Sequence, residues 1–150
     1  LLKDAVWDTP VRTIKSYSKD VKQLYGDKFI LLGNASEFLD PVFSSGVTIA
    51  MYSARLAGHL VPKILKGESV DLESEYAKPL MIGINAFRTY VNGWYSGEFQ
   101  DVIYTNVENN DIKRQICSIL AGYAWDTSNP YVAKSDTALK TLWEYTKSMQ

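Results

Sequence analysis

Cysteine occurs once in these 150 residues and histidine once. Cys117, in "RQICSILAGY", has no partner for an internal disulfide, and its helical neighbours make it read as a small core thiol. A reducing, cytoplasmic setting follows from that usage. No metal site is expected, and His59 reads as a surface or packed residue on a long helix rather than a catalytic base. Charge of one sign is also lacking: 16 basic residues face 17 acidic ones, for a net charge of −1. Without a Lys/Arg block to track a phosphate backbone, nucleic acid is excluded as a partner. Uninterrupted apolar runs reach only about five residues, far short of the roughly 20 that span a bilayer, and the N-terminus has no signal-peptide pattern. Internal repeats and low-complexity segments are absent. The chain opens on "LLKDAVWD" without Met, from which a removed upstream segment is expected.

What is there suits a globular protein with a real core, since 46% of residues are hydrophobic. Ala5 to Tyr17 mixes Val6, Trp7, Val11 and Ile14 with a Pro10 that a central strand would not tolerate, so an edge or kinked strand is expected. Phe29 to Leu32 is apolar without alternation and bounded by Gly26-Asp27 and Gly33-Asn34. It reads as a strand buried on both faces, which needs sheet neighbours. Ser44-Ser45-Gly46 opens a long helix. Its small residues Ala50, Ala54, Ala57 and Gly58 would let it lie close to a sheet, and Pro62 and Gly67 mark its end.

From Asp71 onward the spacing of Leu72, Tyr76, Leu80, Ile84, Phe87, Val91 and Trp94 predicts a helix that Pro79 should bend. A short helix around Phe99 to Ile103 follows. Asp111 is expected to cap a helix carrying Ile112, Ile116 and Ile119, and Ser135 or Asp136 a last one carrying Leu139, Leu142 and Tyr145. The fold class is therefore α+β and mainly helical: a short strand feeding a long helix, then three or four packed helices.

The strand-to-helix junction carries the chemistry. Gly33 ends the strand without a Cβ, so backbone or ligand can approach, and Asn34 offers an amide to a hydroxyl-rich ligand or to its own turn. Asp40-Pro41 forces Asp40 into an extended conformation. At Ser44-Ser45-Gly46-Val47-Thr48 the first-turn amides lack intrahelical partners and favour an anion or polarised carbonyl, by roughly 0.3 to 1 kcal/mol per interaction. A plain connection in which Ser44 or Ser45 caps the helix fits the same residues. Local physics does not choose between the two.

"GNASEFLDPVFSSGVTIA", Gly33 to Ala50, resembles the second flavin-binding motif of the hydroxybenzoate-hydroxylase-like FAD superfamily, and is most similar to its flavin-dependent halogenase and geranylgeranyl-reductase-like branches. The resemblance implies FAD as cofactor. It places Asn34 at the ribityl chain, where the family carries an acid, and Pro41 beside the flavin ring. Gly46, Val47 and Thr48 then turn their amides to the pyrimidine edge of the isoalloxazine. Gly33, Asp40, Ser44 and Ser45 complete the implied site. The amides around Ser45 and Gly46 match those that hold halide in halogenases. Phe43 stands where tryptophan halogenases of this kind carry Glu, a departure from that subgroup, and the catalytic residues stay unassigned.

The family's first motif, G-x-G-x-x-G between a strand and a helix, is not found at any glycine of this chain. The resemblance therefore implies the C-terminal part of an FAD-dependent oxidoreductase, lacking a dinucleotide-binding half. Residues 1–67 would form the flavin-contacting portion and 68–150 a helical extension. Such an isolated part should bind FAD weakly and be inactive. Its implied partners are that half, a hydrophobic or aromatic small-molecule substrate, and a second copy covering exposed edges. Trp94, Tyr95, Phe99, Tyr123, Trp125 and Tyr131 would line a substrate channel if they are not core. The competing reading is a non-enzymatic helical interaction domain.

Overall fold

Helices carry most of the chain in the computed structural model, which describes residues 3–4, 6, 8–15, 19–105 and 109–149. Two minimal antiparallel pairs precede them. β1 (Lys19–Asp20) pairs with β4 (Glu37–Phe38), Asp20 opposite Glu37. β2 (Tyr25–Gly26) pairs with β3 (Phe29–Ile30) across the Asp27-Lys28 turn.

The helices are α1 (Gly46–Leu65), α2 (Lys78–Ser96), α3 (Glu98–Tyr104), α4 (Asn110–Leu120), the single turn α5 (Pro130–Ala133) and α6 (Ser135–Ser148). α2 is the axis of the packing and touches each of the others. Its apolar positions Leu80, Ile84, Phe87 and Tyr90 recur every three or four residues and are fully buried. One continuous core joins Leu24, Ile49 and Leu60 to Phe99, Ile119 and Leu139.

Several expectations change. Phe29–Leu32 is not buried on both faces: β3 holds two residues, and Phe29 and Leu32 are 50% and 41% exposed, because among the described residues each strand has a single neighbour. In the expected N-terminal edge strand, Ala5, Trp7 and Tyr17 lie outside the described residues. Val6, Val11 and Ile14 are exposed and in no strand, since Pro10 and the polar residues around it offer no apolar face. Among the described residues the small-residue series of α1 meets no sheet. Ala57 is buried, but Ala54 and Gly58 face outward.

Cys117 is exposed rather than a core thiol, because Ile116 and Ile119 take the inward positions of α4. The caps also move. Asn109, not Asp111, caps α4, its Oδ1 accepting the amides of Asp111 and Ile112, both at 3.1 Å. Neither Ser135 nor Asp136 caps α6. Both side chains bond Thr89 on α2 instead, Ser135 at 2.9 Å. Pro79 leaves α2 continuous because the chain enters it through a π-turn, Glu73–Ala77, which absorbs the missing donor before the proline.

Candidate functional site

Gly33 opens the 3-10 turn Gly33–Ala35 at φ +53°, in the left-handed region. A Cβ there would lie 3.1 Å from Ala50 Cβ, so the glycine permits the close approach of junction and α1. Two buried serines fix it. Gly33 N donates to Ser53 Oγ at 3.0 Å, and Ser36 Oγ donates to Gly33 O at 2.6 Å. Ser53 in turn donates to Ala50 O at 3.0 Å, so its hydroxyl joins strand end and helix. Upstream, the Tyr76 hydroxyl donates to Leu31 O, and burial pushes that hydroxyl up to about 12.

Past Glu37 and Phe38 the chain extends at Asp40 (φ −57°, ψ 136°), as a residue before proline must. Asp40 Oδ1 accepts Val42 N at 3.2 Å and so caps the 3-10 turn Pro41–Phe43. Ser44 then takes φ +52° and bonds its amide back to Pro41 O at 2.9 Å. Phe43 leaves the turn on its inner side. Its ring meets Trp94 and Phe99 edge-on at 5.7 and 5.6 Å, which ties the junction to α2 and α3 and explains an aromatic residue at this place.

At the start of α1, Ser45 is buried at the N-cap position, but its side chain makes no cap bond. The plain capped connection is therefore not what forms. The first-turn amides of Gly46, Val47 and Thr48 keep no side-chain acceptor from the cap and stand at the positive end of a 20-residue helix. Asn34 Oδ1 lies 3.6 Å from where a Cβ of Gly46 would be, so the carboxamide and the helix start form one surface. Asn34, Pro41, Ser44, Gly46 and Val47 are exposed and Thr48 is half-buried, whereas Gly33 and Ser45 are buried. A hydroxyl-bearing ligand with negative charge at one edge suits this donor set, since Asn34 can donate or accept and the amides only donate.

Of the aromatic residues proposed for a channel, Phe99 is buried, Trp94, Trp125 and Tyr131 are half-buried, and Tyr95 and Tyr123 point to solvent. Trp125 stacks on Tyr52 at 3.9 Å and donates its Nε1–H to Leu80 O at 3.2 Å. Sequence reading missed the supports: Ser36, Ser53, Tyr76, and the Glu37–Arg88 pair that binds β4 to α2 at 2.7 Å. Ser53 alone left a trace, as a polar residue four places from both Ile49 and Ala57 on the inner face of α1.

No protein-family model matches the chain. It is 33% identical over 88 residues to a 1H-pyrrole-2-carbonyl-[peptidyl-carrier protein] chlorinase of Pseudomonas fluorescens, covering 57% of this chain and 20% of that one. A tryptophan 2-halogenase of Chondromyces crocatus is 43% identical over 74 residues, 49% of this chain and 14% of its own. Among solved structures, a flavoprotein/dehydrogenase from Cytophaga hutchinsonii superposes with a TM-score of 0.84 at 47% identity, over 89% of this chain and 33% of that one. The chain thus spans a fifth or less of these two curated relatives and a third of the solved one. A flavin-dependent halogenase of Armillaria mellea is 34% identical over 74 residues, 49% of this chain and 14% of its own, and with the flavoprotein/dehydrogenase it favours the flavin reading over a helical interaction domain.

Proposed function

We propose that this chain, a relative of flavin-dependent halogenases, forms the isoalloxazine-side half of the FAD site in an FAD-dependent oxidoreductase of monooxygenase, halogenase or reductase kind. The observation that carries the proposal is the open start of α1, with three first-turn amides beside Asn34 and no side-chain cap. FAD, when bound, would supply the redox chemistry. The chain's own part is to hold and orient. The amides of Gly46, Val47 and Thr48 would stabilise negative charge at the pyrimidine edge, Asn34 would bond a ribityl hydroxyl, and Pro41 would flank the ring. Gly33 lets the backbone come close. Asp40, whose carboxylate is committed to Val42 N, shapes the turn.

In this reading residues 1–67 are the flavin-contacting portion, 68–150 a helical extension, and the substrate a hydrophobic or aromatic small molecule. The halogenase relatives support a halide position at the amides of Ser45 and Gly46.

Amide chemical shifts of 15N-labelled chain at about millimolar FAD test the reading. Shifts should concentrate at Gly33, Asn34, Gly46 and Thr48. They should weaken in Val47→Pro, which deletes one first-turn donor at a place where a helix tolerates proline. Shifts confined to other residues would overturn the site. A micromolar Kd for FAD with the chain alone would overturn the need for a second half.

A further inference from the structure

α4 and α6 border more empty space than a packed core keeps. Protein interiors leave few voids larger than a water molecule, yet two cavities lie along these helices, of about 440 and 560 Å³. Both fall in the range of roughly 300 to 1,000 Å³ that small-molecule sites occupy. The first lies between α5, α6 and the start of α4, with Tyr131, Lys134, Ala138 and Thr141 in its walls. The second lies between α3, α4 and α6, with Val102, Ile103, Lys113, Ile116 and Cys117 in its walls. Ile112, Leu142 and Tyr145 line both, so the two cavities meet there and form one elongated cleft.

The cleft is apolar along its length and basic at its mouths. Val102 and Ile116 are buried and Ile112 and Leu142 half-buried, while Ile103 and Tyr145 are 43% and 51% exposed. This floor leaves apolar surface in water that an occupant would cover. Acidic residues outnumber basic ones in the chain, 17 to 16, yet no Asp or Glu is among the described residues that line either cavity. Each cavity holds one lysine, Lys134 in the first and Lys113 in the second, and neither has an ion pair among the described residues. A neutral solute would leave both ammonium groups unused. A compact ring system would fill one cavity and leave the other bare.

We infer that the α4–α6 cleft binds a long-chain carboxylic acid, its alkyl chain running past Ile112 and Leu142 and its carboxylate at a mouth lysine. The alkyl chain and the cleft floor remove each other from water, and the ammonium group donates to the carboxylate. The cleft shares no residue with the turn from Gly33 to Thr48, and the inference does not rest on the flavin reading.

Cys117, the one cysteine of the chain, is exposed at the second cavity and reports its occupancy. Dodecanoate below its micellar concentration should slow alkylation of Cys117 by iodoacetamide about fivefold at saturation, and titration calorimetry should give a single site per chain. Lys113→Gln combined with Lys134→Gln should weaken dodecanoate about fivefold and leave the affinity for dodecanol unchanged. Thr141→Trp, at an exposed position of the first cavity, should weaken both compounds without altering circular dichroism, and Lys66→Gln at the end of α1 should change neither affinity. Alkylation indifferent to dodecanoate, or a dodecanoate affinity that the lysine pair or Thr141→Trp leaves unaltered, overturns the inference. So does sedimentation of the chain alone as a dimer that Thr141→Trp splits, since a second copy would then fill the cleft.

Discussion

Glu37 is the side chain whose burial is hardest to offset. It is 4% exposed, one carboxylate oxygen receives Arg88 Nη2 at 2.7 Å, and Oε1 has no hydrogen-bond partner among the described residues. Burial raises its pKa, Arg88 opposes the rise, and Asp20, 3.8 Å from the same guanidinium, adds to it. A carboxyl raised in the fold binds its proton more tightly there than in the unfolded chain. Its stabilising contribution is therefore complete below the unfolded value and is lost as pH climbs through the raised one. Urea midpoints of Glu37→Gln should accordingly fall less than those of the parent between acid and neutral pH. Arg88→Met should cost roughly 3 kcal/mol at neutral pH, because it strands a buried carboxylate, and adding Glu37→Gln to it should recover part of that loss. The Tyr76 hydroxyl follows the same logic at the alkaline end. Raised by burial to about 12, it must stay protonated to donate to Leu31 O, so its contribution drains away as pH passes from about 10 to 12. Tyr76→Phe should be less stable at neutral pH by about 1 kcal/mol and lose less than the parent on alkaline titration followed by circular dichroism.

Among the elements, the two longest helices were legible because their apolar residues repeat every three to four positions over four turns or more, and Gly67, at positive φ, marks where the first stops; Gly97, which ends the second at positive φ, went unread. What stayed illegible depended on contacts distant in sequence. Asp136 looks like a cap until Thr89, 47 residues away, is seen to claim it. Ser53 is an unremarkable helix residue until Gly33 N is found 3.0 Å from it. Phe29–Leu32 misled for the opposite reason: its apolar run promises neighbours that these residues do not provide. The packing of α1 on α2 rests on a similar distant contact. Trp125 is stacked on Tyr52 of α1, edge-on to Phe87 of α2, and occupies the space above Gly83. Any Cβ at Gly83 would overlap the indole. Gly83→Ala should therefore destabilise the chain by about 2 kcal/mol despite its gain in helix propensity, with a shifted tryptophan emission reporting the displaced ring.

Across the whole molecule, the motif residues Gly33 to Thr48 are held by groups the motif does not contain. Phe43 anchors them to α2 and α3, Arg88 reaches them from α2, and Tyr76 reaches the segment before them. The candidate site could be read from its own residues, whereas its rigidity belongs to the helices that follow. That continuity runs across the proposed boundary near residue 67, since Ile49 and Leu60 share a cluster with Phe99 and Leu139. Among the described residues, the same core takes in none before Leu24. Residues 8–15 are exposed and outside regular structure. Trypsin should therefore cut after Arg12 and Lys15 before it cuts within α1 or α2, where backbone amides are tied into helices. The large product should keep the helical circular dichroism of the parent and unfold within about 2 °C of it, because none of the described residues that leave with the peptide is buried. A product that loses its helical signal would mean that the N-terminal residues hold up the junction and, through it, the start of α1.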